Sequence, residues 1–159
     1  MSSQSDAAQP LEPAEPGQDA EYKALVERTR MLINERRLTV ADVPDMLRAL
    51  TIYAGRDSLV RERFAETDEK VQFLVSGAPP EDWLWLVFDR GAFATGRGPI
   101  EQTLRVEFKD DQTMLGAFMG TVNPQVAALK GLVKVTPLAR AAPFGEFFSL
   151  MSRRLSSKL

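Results

Sequence analysis

The chain has 159 residues, which suits one domain on a prior of about 150 residues per domain. Its 44% hydrophobic and 26% charged residues are an ordinary globular balance, and a net charge of −2 leaves no basic surplus for a dedicated nucleic-acid binder. With no His and no Cys, zinc, haem, iron–sulfur and thiol chemistry lose their usual ligands, so no cofactor or metal site is expected.

Residues 1–19 hold three Pro and four acidic residues, with no Lys or Arg. Such a segment buries too little to offset its ordering entropy and reads as a disordered tail. Across 21–37, Tyr22, Leu25, Val26, Leu32 and Ile33 recur near the helical period. Residues 39–54 place Val43, Leu47, Leu50 and Ala54 on a second stripe, with Thr39 and Asp42 as a capping box and Gly55 as the stop. Residues 20–56 therefore form a helical N-terminal extension to a domain spanning 57–159. Asp57 or Ser58 can cap a third, short helix running to about Asp68.

The period then changes from helical to alternating. Val71, Phe73 and Val75 alternate with Gln72 and Ser76, which predicts a strand. Residues 83–88, Trp-Leu-Trp-Leu-Val-Phe, are apolar on both faces and predict a central strand covered on both sides. A turn at Asp89-Arg90-Gly91 leads to a short strand over 92–95 and a loop at Gly96-Arg97-Gly98-Pro99. No Lys-Ser/Thr follows this loop, so it reads as a hairpin connection and not a phosphate cradle. Leu104, Val106 and Phe108 alternate with Arg105, Glu107 and Lys109, a strand with one wet face.

Helix returns in the last third. Asp110-Asp111 can cap a helix bearing Met114, Leu115, Phe118 and Met119 that Gly120 ends. Asn123 then stands as an N-cap before Pro124, and Gly131 as a helix stop before a strand over 132–136. Pro143 can start a final helix with a stripe of Phe144, Phe147, Phe148, Met151 and Leu155. This stripe reads first as core packing and alternatively as the wall of an apolar cavity, and periodicity does not separate the two because both are written in the same residues. The lone carboxylates Asp82, Asp89, Glu101 and Glu107 have no partner that would tune them, and Lys130 reads as a solvated helix-end residue.

Residues 114–135, with Asn123-Pro124-Gln125 and Gly131 as their most specific part, resemble the signature of the sterol carrier protein type 2 family. The order of elements before this stretch, one helix and four strands, is similar too, and the likeness runs from about Leu59 to Leu155. Where that family often carries two aromatics this chain has Ala128 and Leu129, and Lys130 replaces a common Gln. A Gly usual after the last strand is replaced around Pro137.

The resemblance implies an α/β domain with a mixed, strongly twisted five-stranded sheet covered by helices. It further implies non-catalytic binding or transfer of a sterol, fatty acid or acyl chain in an apolar cavity. The expected lining is Leu86, Phe88, Met114, Phe118, Met119, Leu129, Phe144, Phe147 and Phe148. The partner is then a lipid-like small molecule, with transient contact to a membrane surface and none to nucleic acid. A second reading is an accessory or dimerisation subunit that docks a partner enzyme through residues 20–56, its cavity filled by side chains. No run reaches the roughly 18 apolar residues of a membrane span, and the N-terminus lacks the pattern of a secretory signal. The ending Ser157-Lys158-Leu159 reads as a peroxisomal address in a eukaryote; in a bacterium the expectation is cytoplasmic.

Overall fold

In the computed structural model, which describes residues 16–119 and 121–156, helices precede and follow one sheet. The first three are α1 (Pro16–Asn34), α2 (Val43–Arg56) and α3 (Ser58–Arg63). Four strands follow: β1 (Asp68–Val75), β2 (Leu84–Asp89), β3 (Ala92–Arg97) and β4 (Leu104–Phe108). The chain closes with α4 (Asp111–Met119), α5 (Pro124–Leu129), β5 (Val133–Thr136) and α6 (Ala142–Ser156).

α1 begins inside the segment that composition reads as a tail, because a Pro needs no N–H partner in the first helical turn. The rest of that expected tail, residues 1–15, lies outside the described residues, as do Gly120 and Ser157-Lys158-Leu159. α1 also stops short of residue 37. Arg36 turns to φ +56°, its N–H reaches Ile33 O, and Arg37 N–H reaches Leu32 O, a Schellman ending. A single turn of 3₁₀ helix at Val40–Asp42 then leads into α2, so the helix expected over 39–54 begins at Val43, and the whole stripe of Val43, Leu47, Leu50 and Ala54 lies buried on α2. α2 runs through Gly55, which is buried within it, and ends at Asp57. Asp57 is extended, and its carboxylate accepts from Leu59 N and Val60 N to cap α3, which ends at Arg63, well before Asp68.

The sheet order is β3-β2-β1-β4-β5. β1 and β4 are parallel and every other neighbouring pair is antiparallel. β1 is thus the central strand, and β2, expected there, lies one place from the edge. The burial agrees: Val71, Gln72, Phe73 and Leu74 of β1 are all buried, whereas Trp85 and Val87 of β2 are only half-buried. Leaving β3, the chain must cross the sheet to reach β4, and it crosses over β1. Gln72, fully buried, holds that crossing. Its Nε2 donates to Leu84 O at 3.0 Å and Gly98 O at 2.9 Å, and its Oε1 accepts from Ile100 N at 2.8 Å. β3 continues through Gly96 and Arg97, which sequence reading assigns to a loop. Gly96 pairs with Trp85, and a Cβ there would stand 2.3 Å from the Trp85 Cζ2, so the indole occupies the missing side chain's place.

On the other face, Val71, Phe73, Leu86, Phe88, Leu104, Val106 and Phe108 join one core with residues of the helices. α1 contributes Val26, Leu32 and Ile33 to it, and α2 contributes Met46, Leu47 and Leu50. The helices before the sheet therefore bury their apolar stripes in this chain's own core.

Gln72→Leu keeps the side chain's bulk but leaves the Ile100 N–H and two carbonyls without their partner. It should cost about 1–3 kcal/mol in urea denaturation and speed hydrogen exchange across residues 98–103. A second expectation concerns acid. The Thr39 hydroxyl and amide, with Arg28 beside them, hold the Asp42 carboxyl below the ordinary carboxylate value. The Thr113 hydroxyl and amide do the same for Asp110, the N-cap of α4. Both carboxyls are lowered on folding, so their stabilisation is present above about pH 4 and is lost as pH falls through their folded values. The Asp42→Asn, Asp110→Asn double variant should show a flatter fall of Tm below pH 4 than the natural chain.

Candidate functional site

The candidate site is organised by α6. Asn-, Gly- and Pro-bearing turns bring the chain back across the sheet so that this helix can lie over it. Asn123 Oδ1 accepts from Val126 N to start α5, and Gly131 at φ +75° ends it with Leu132 N–H bonded to Ala127 O. After β5 a 3₁₀ turn at Leu138–Arg140 precedes α6. The far end of α6 is fastened to the N-terminal helices. Arg30 Nε donates to Leu155 O at 2.7 Å, and Arg154 pairs with Asp57 at 2.6 Å. The hydrogen bond to the Asp57 carboxylate raises the Arg154 pKa above its ordinary value. Arg63 pairs with Glu146 nearer the helix start.

The apolar stripe of α6 divides between two surroundings. Phe147, Met151 and Leu155 are buried to 1% exposure or less. The Phe147 ring meets Phe64, Phe88 and Phe93 at centroid distances of 5.8, 5.2 and 5.4 Å. Phe144 and Phe148 turn the other way: Phe148 stacks on Phe118 at 4.8 Å, and Phe144 approaches Phe73 at 5.7 Å. Beside this second group opens a cleft of about 540 Å³. Val106 and Phe108 of β4 and Val133 and Val135 of β5 line it from the sheet. Ala117 and Phe118 of α4, with Thr121, Val122 and Asn123 after it, line another part. Ala141 and the α6 residues Phe144, Gly145, Phe148, Ser149, Ser152 and Arg153 complete it.

Small side chains leave this space. A Cβ added at Gly145 would meet nothing within 4 Å. At Gly116 the opposite holds: a Cβ would stand 2.4 Å from Val122 Cγ2. Its absence lets the 121–122 segment close on α4, where Thr121 N and Val122 N both bond to Gly116 O. One glycine seats a wall and the other leaves a gap.

Of the nine expected lining residues, Phe118, Phe144 and Phe148 line the cleft. Leu86, Phe88, Met114 and Phe147 are buried elsewhere in the core, and Met119 is half-buried away from the cleft. Leu129 is 88% exposed. α5 turns Ala127 inward at 1% exposure, and two residues further on is about 200° round the helix, so Leu129 faces solvent. Sequence reading misses the valines and Phe108 of β4 and β5, since an alternating strand shows which residues face inward but not what they face. It also misses Ala117, Ala141 and Gly145, which matter through the volume they do not fill. Among the described residues no Asp or Glu lines the cleft, and no group of three or more His, Cys, Asp or Glu could hold a metal ion. Lys130 is exposed at the end of α5, as expected.

No protein-family model matches this chain, and neither does any curated protein sequence. Solved structures do match. A conserved hypothetical protein of Thermus thermophilus, a candidate sterol carrier protein, is 17% identical over 70% of this chain and 84% of its own, with a TM-score of 0.50. A crystal structure of sterol carrier protein 2 is 18% identical over 67% of this chain and 92% of its own, also with a TM-score of 0.50. A stereoselective inverting sec-alkylsulfatase of Pseudomonas sp. is 18% identical over 72% of this chain, with a TM-score of 0.54. This chain spans only 16% of the sulfatase. At such identities the likeness is one of fold: the chain has a sterol carrier protein 2-like fold, a mixed five-stranded sheet with helices and an N-terminal helix ahead of it. No helix among the described residues is long and apolar enough to cross a membrane.

Asn123 both caps α5 and borders the cleft. Asn123→Ala should cost about 1 kcal/mol in thermal or urea unfolding, the usual loss of an N-cap, with the fold retained.

Proposed function

We propose that this chain binds and carries a hydrophobic small molecule, such as a sterol, fatty acid or acyl chain, in the cleft between α4, α6 and the β4–β5 edge of the sheet, without catalysing its conversion. The observation that carries this reading is the open space at Gly145 in a cleft that Phe118, Phe144 and Phe148 also line. A volume of about 540 Å³ falls within the usual range for small-molecule sites. At about 25 cal/mol per Å² of apolar surface, burying a few hundred Å² of hydrocarbon contributes several kcal/mol, which suits micromolar binding. The sterol carrier protein 2-like fold supports the same reading. Residues 20–56 are proposed as an extension that completes the core, since Val26, Leu32, Leu47 and Leu50 are buried against it.

Gly145→Leu tests the cleft directly. The position is helical and open, so the variant should fold with equal or higher stability, and binding of a fluorescent fatty-acid analogue should fall at least tenfold. Affinity equal to that of the natural chain would show that the cleft is not the site. Phe147→Ala serves as the contrast, costing about 3–5 kcal/mol of stability because it empties a packed core position. A chain starting at Asp57 should aggregate or melt markedly lower than the full chain. If it stays monomeric and equally stable, residues 20–56 serve a partner, and the accessory-subunit reading replaces this one.

A further inference from the structure

We infer that a second site, outside the cleft, binds the phosphoryl group of a phosphate monoester at Arg61. Among the described residues four arginines are half-buried, and three of them have a carboxylate beside them. Arg30 pairs with Glu27, Arg105 with Glu107 at 3.8 Å, and Arg154 with Asp57. Arg61 has none. Its Nε is buried without a hydrogen-bond partner, and among the described residues its guanidinium enters no ion pair. A cation that is partly desolvated and unpaired is costly to keep, and an anion supplied from outside accounts for it.

Two elements build the site. Val60 and Phe64 bury one side of α3 in the core, which fixes the helix that carries Arg61. The turn from β2 to β3, with Arg90 at φ +51° and Gly91 at φ +93°, packs directly on that helix. A Cβ at Gly91 would stand 3.2 Å from Arg61 O. Between turn and helix lies a pocket of about 400 Å³ that shares no lining residue with the cleft. Ser58, Arg61, Glu62 and Ala65 line it from α3, and Arg90 and Gly91 from the turn. Arg90 is already balanced by Asp89 at 2.8 Å and Asp68 at 3.3 Å, so it offers spare N–H donors while Arg61 offers the uncompensated charge. Donors therefore come from a hydroxyl and two guanidinium groups. A tetrahedral phosphoryl group has oxygens for all three, whereas a planar carboxylate has two. A phosphate monoester carries about −1.5 to −2 charge at pH 7, and a guanidinium fork can hold two of its oxygens in parallel. Glu62 is the opposing charge in the lining and weakens the attraction.

The test titrates the full chain with phenyl phosphate and with benzoate at constant ionic strength. Calorimetry reads affinity, and NMR follows the Arg61 Nε–H resonance. Phenyl phosphate should saturate the chain and bind about tenfold more tightly than benzoate. Arg61→Gln should weaken it about tenfold with Tm unchanged or higher, because the variant also removes an unpaired charge. Arg61→Lys should retain part of the affinity, and Glu62→Gln should tighten binding about twofold. Arg48→Gln, which removes an exposed charge on α2, should change nothing. Sedimentation with phosphatidate-containing vesicles that Arg61→Gln abolishes assigns the phosphoryl group to a lipid head. Phenyl phosphate binding without such sedimentation assigns it to a soluble ester. No saturable phenyl phosphate binding, equal affinity for benzoate, or binding that survives Arg61→Gln overturns the inference, and none of these outcomes bears on the cleft.

Discussion

Phe147 and Phe148 are consecutive residues, about 100° apart around α6, and they face different surroundings. Phe147 closes a cluster with Phe64, Phe88 and Phe93, while Phe148 stacks on Phe118 beside the cleft. The two groups touch, the Phe147 and Phe148 rings lying 5.4 Å apart. The rotation of α6 about its own axis is thereby set from the core side. If Phe147 is seated, Phe144 and Phe148 must face the cleft, and Gly145 must leave its gap there.

That seating depends on the helices before the sheet. Asp57 ends α2, caps α3 through Leu59 N and Val60 N, and receives Arg154 from the last turn of α6. One residue thus joins three helices, α2 through its backbone N–H and α3 and α6 through its carboxylate. Its side chain is only 12% exposed, so losing Arg154 would leave a mostly buried charge without its partner, the costly way to break an ion pair. Arg30 of α1 adds a charge-assisted bond to the Leu155 carbonyl, one of the acceptors that a helix end leaves over. The N-terminal helices hold the end of α6 at which the cleft becomes polar.

On the opposite face of the sheet, the polar side chain of Gln72 organises the connection that makes β1 and β4 parallel neighbours. A buried amide with all its partners is acceptable in a core because each group it satisfies would otherwise be orphaned. With β4 held beside β1, β5 pairs at the sheet's edge, and Val133 and Val135 become available to the cleft. The site therefore inherits its sheet wall from a crossing made on the other side of the molecule.

Most elements are legible in the sequence because their causes are local. Asp57, Asp110 and Asn123 each cap a helix within three residues, Gly131 supplies the positive φ that ends α5, and the alternation of β4 states its two faces. The resemblance carried by Asn123-Pro124-Gln125 and Gly131 pointed to the same fold. The central place of β1, the strand pairing of Gly96 and the continuation of α2 through Gly55 were not legible, since each depends on what a distant segment lays against it. The site divides the same way. Phe118, Phe144 and Phe148 could be named from periodicity, but so could Phe88 and Phe147, which pack in the core. Sequence alone determined which residues are apolar and on which stripe of their helix they sit. Only the tertiary structure decided which stripe meets another side chain and which meets space, because a cavity is fixed by what fails to pack opposite a residue, and no residue records that by itself.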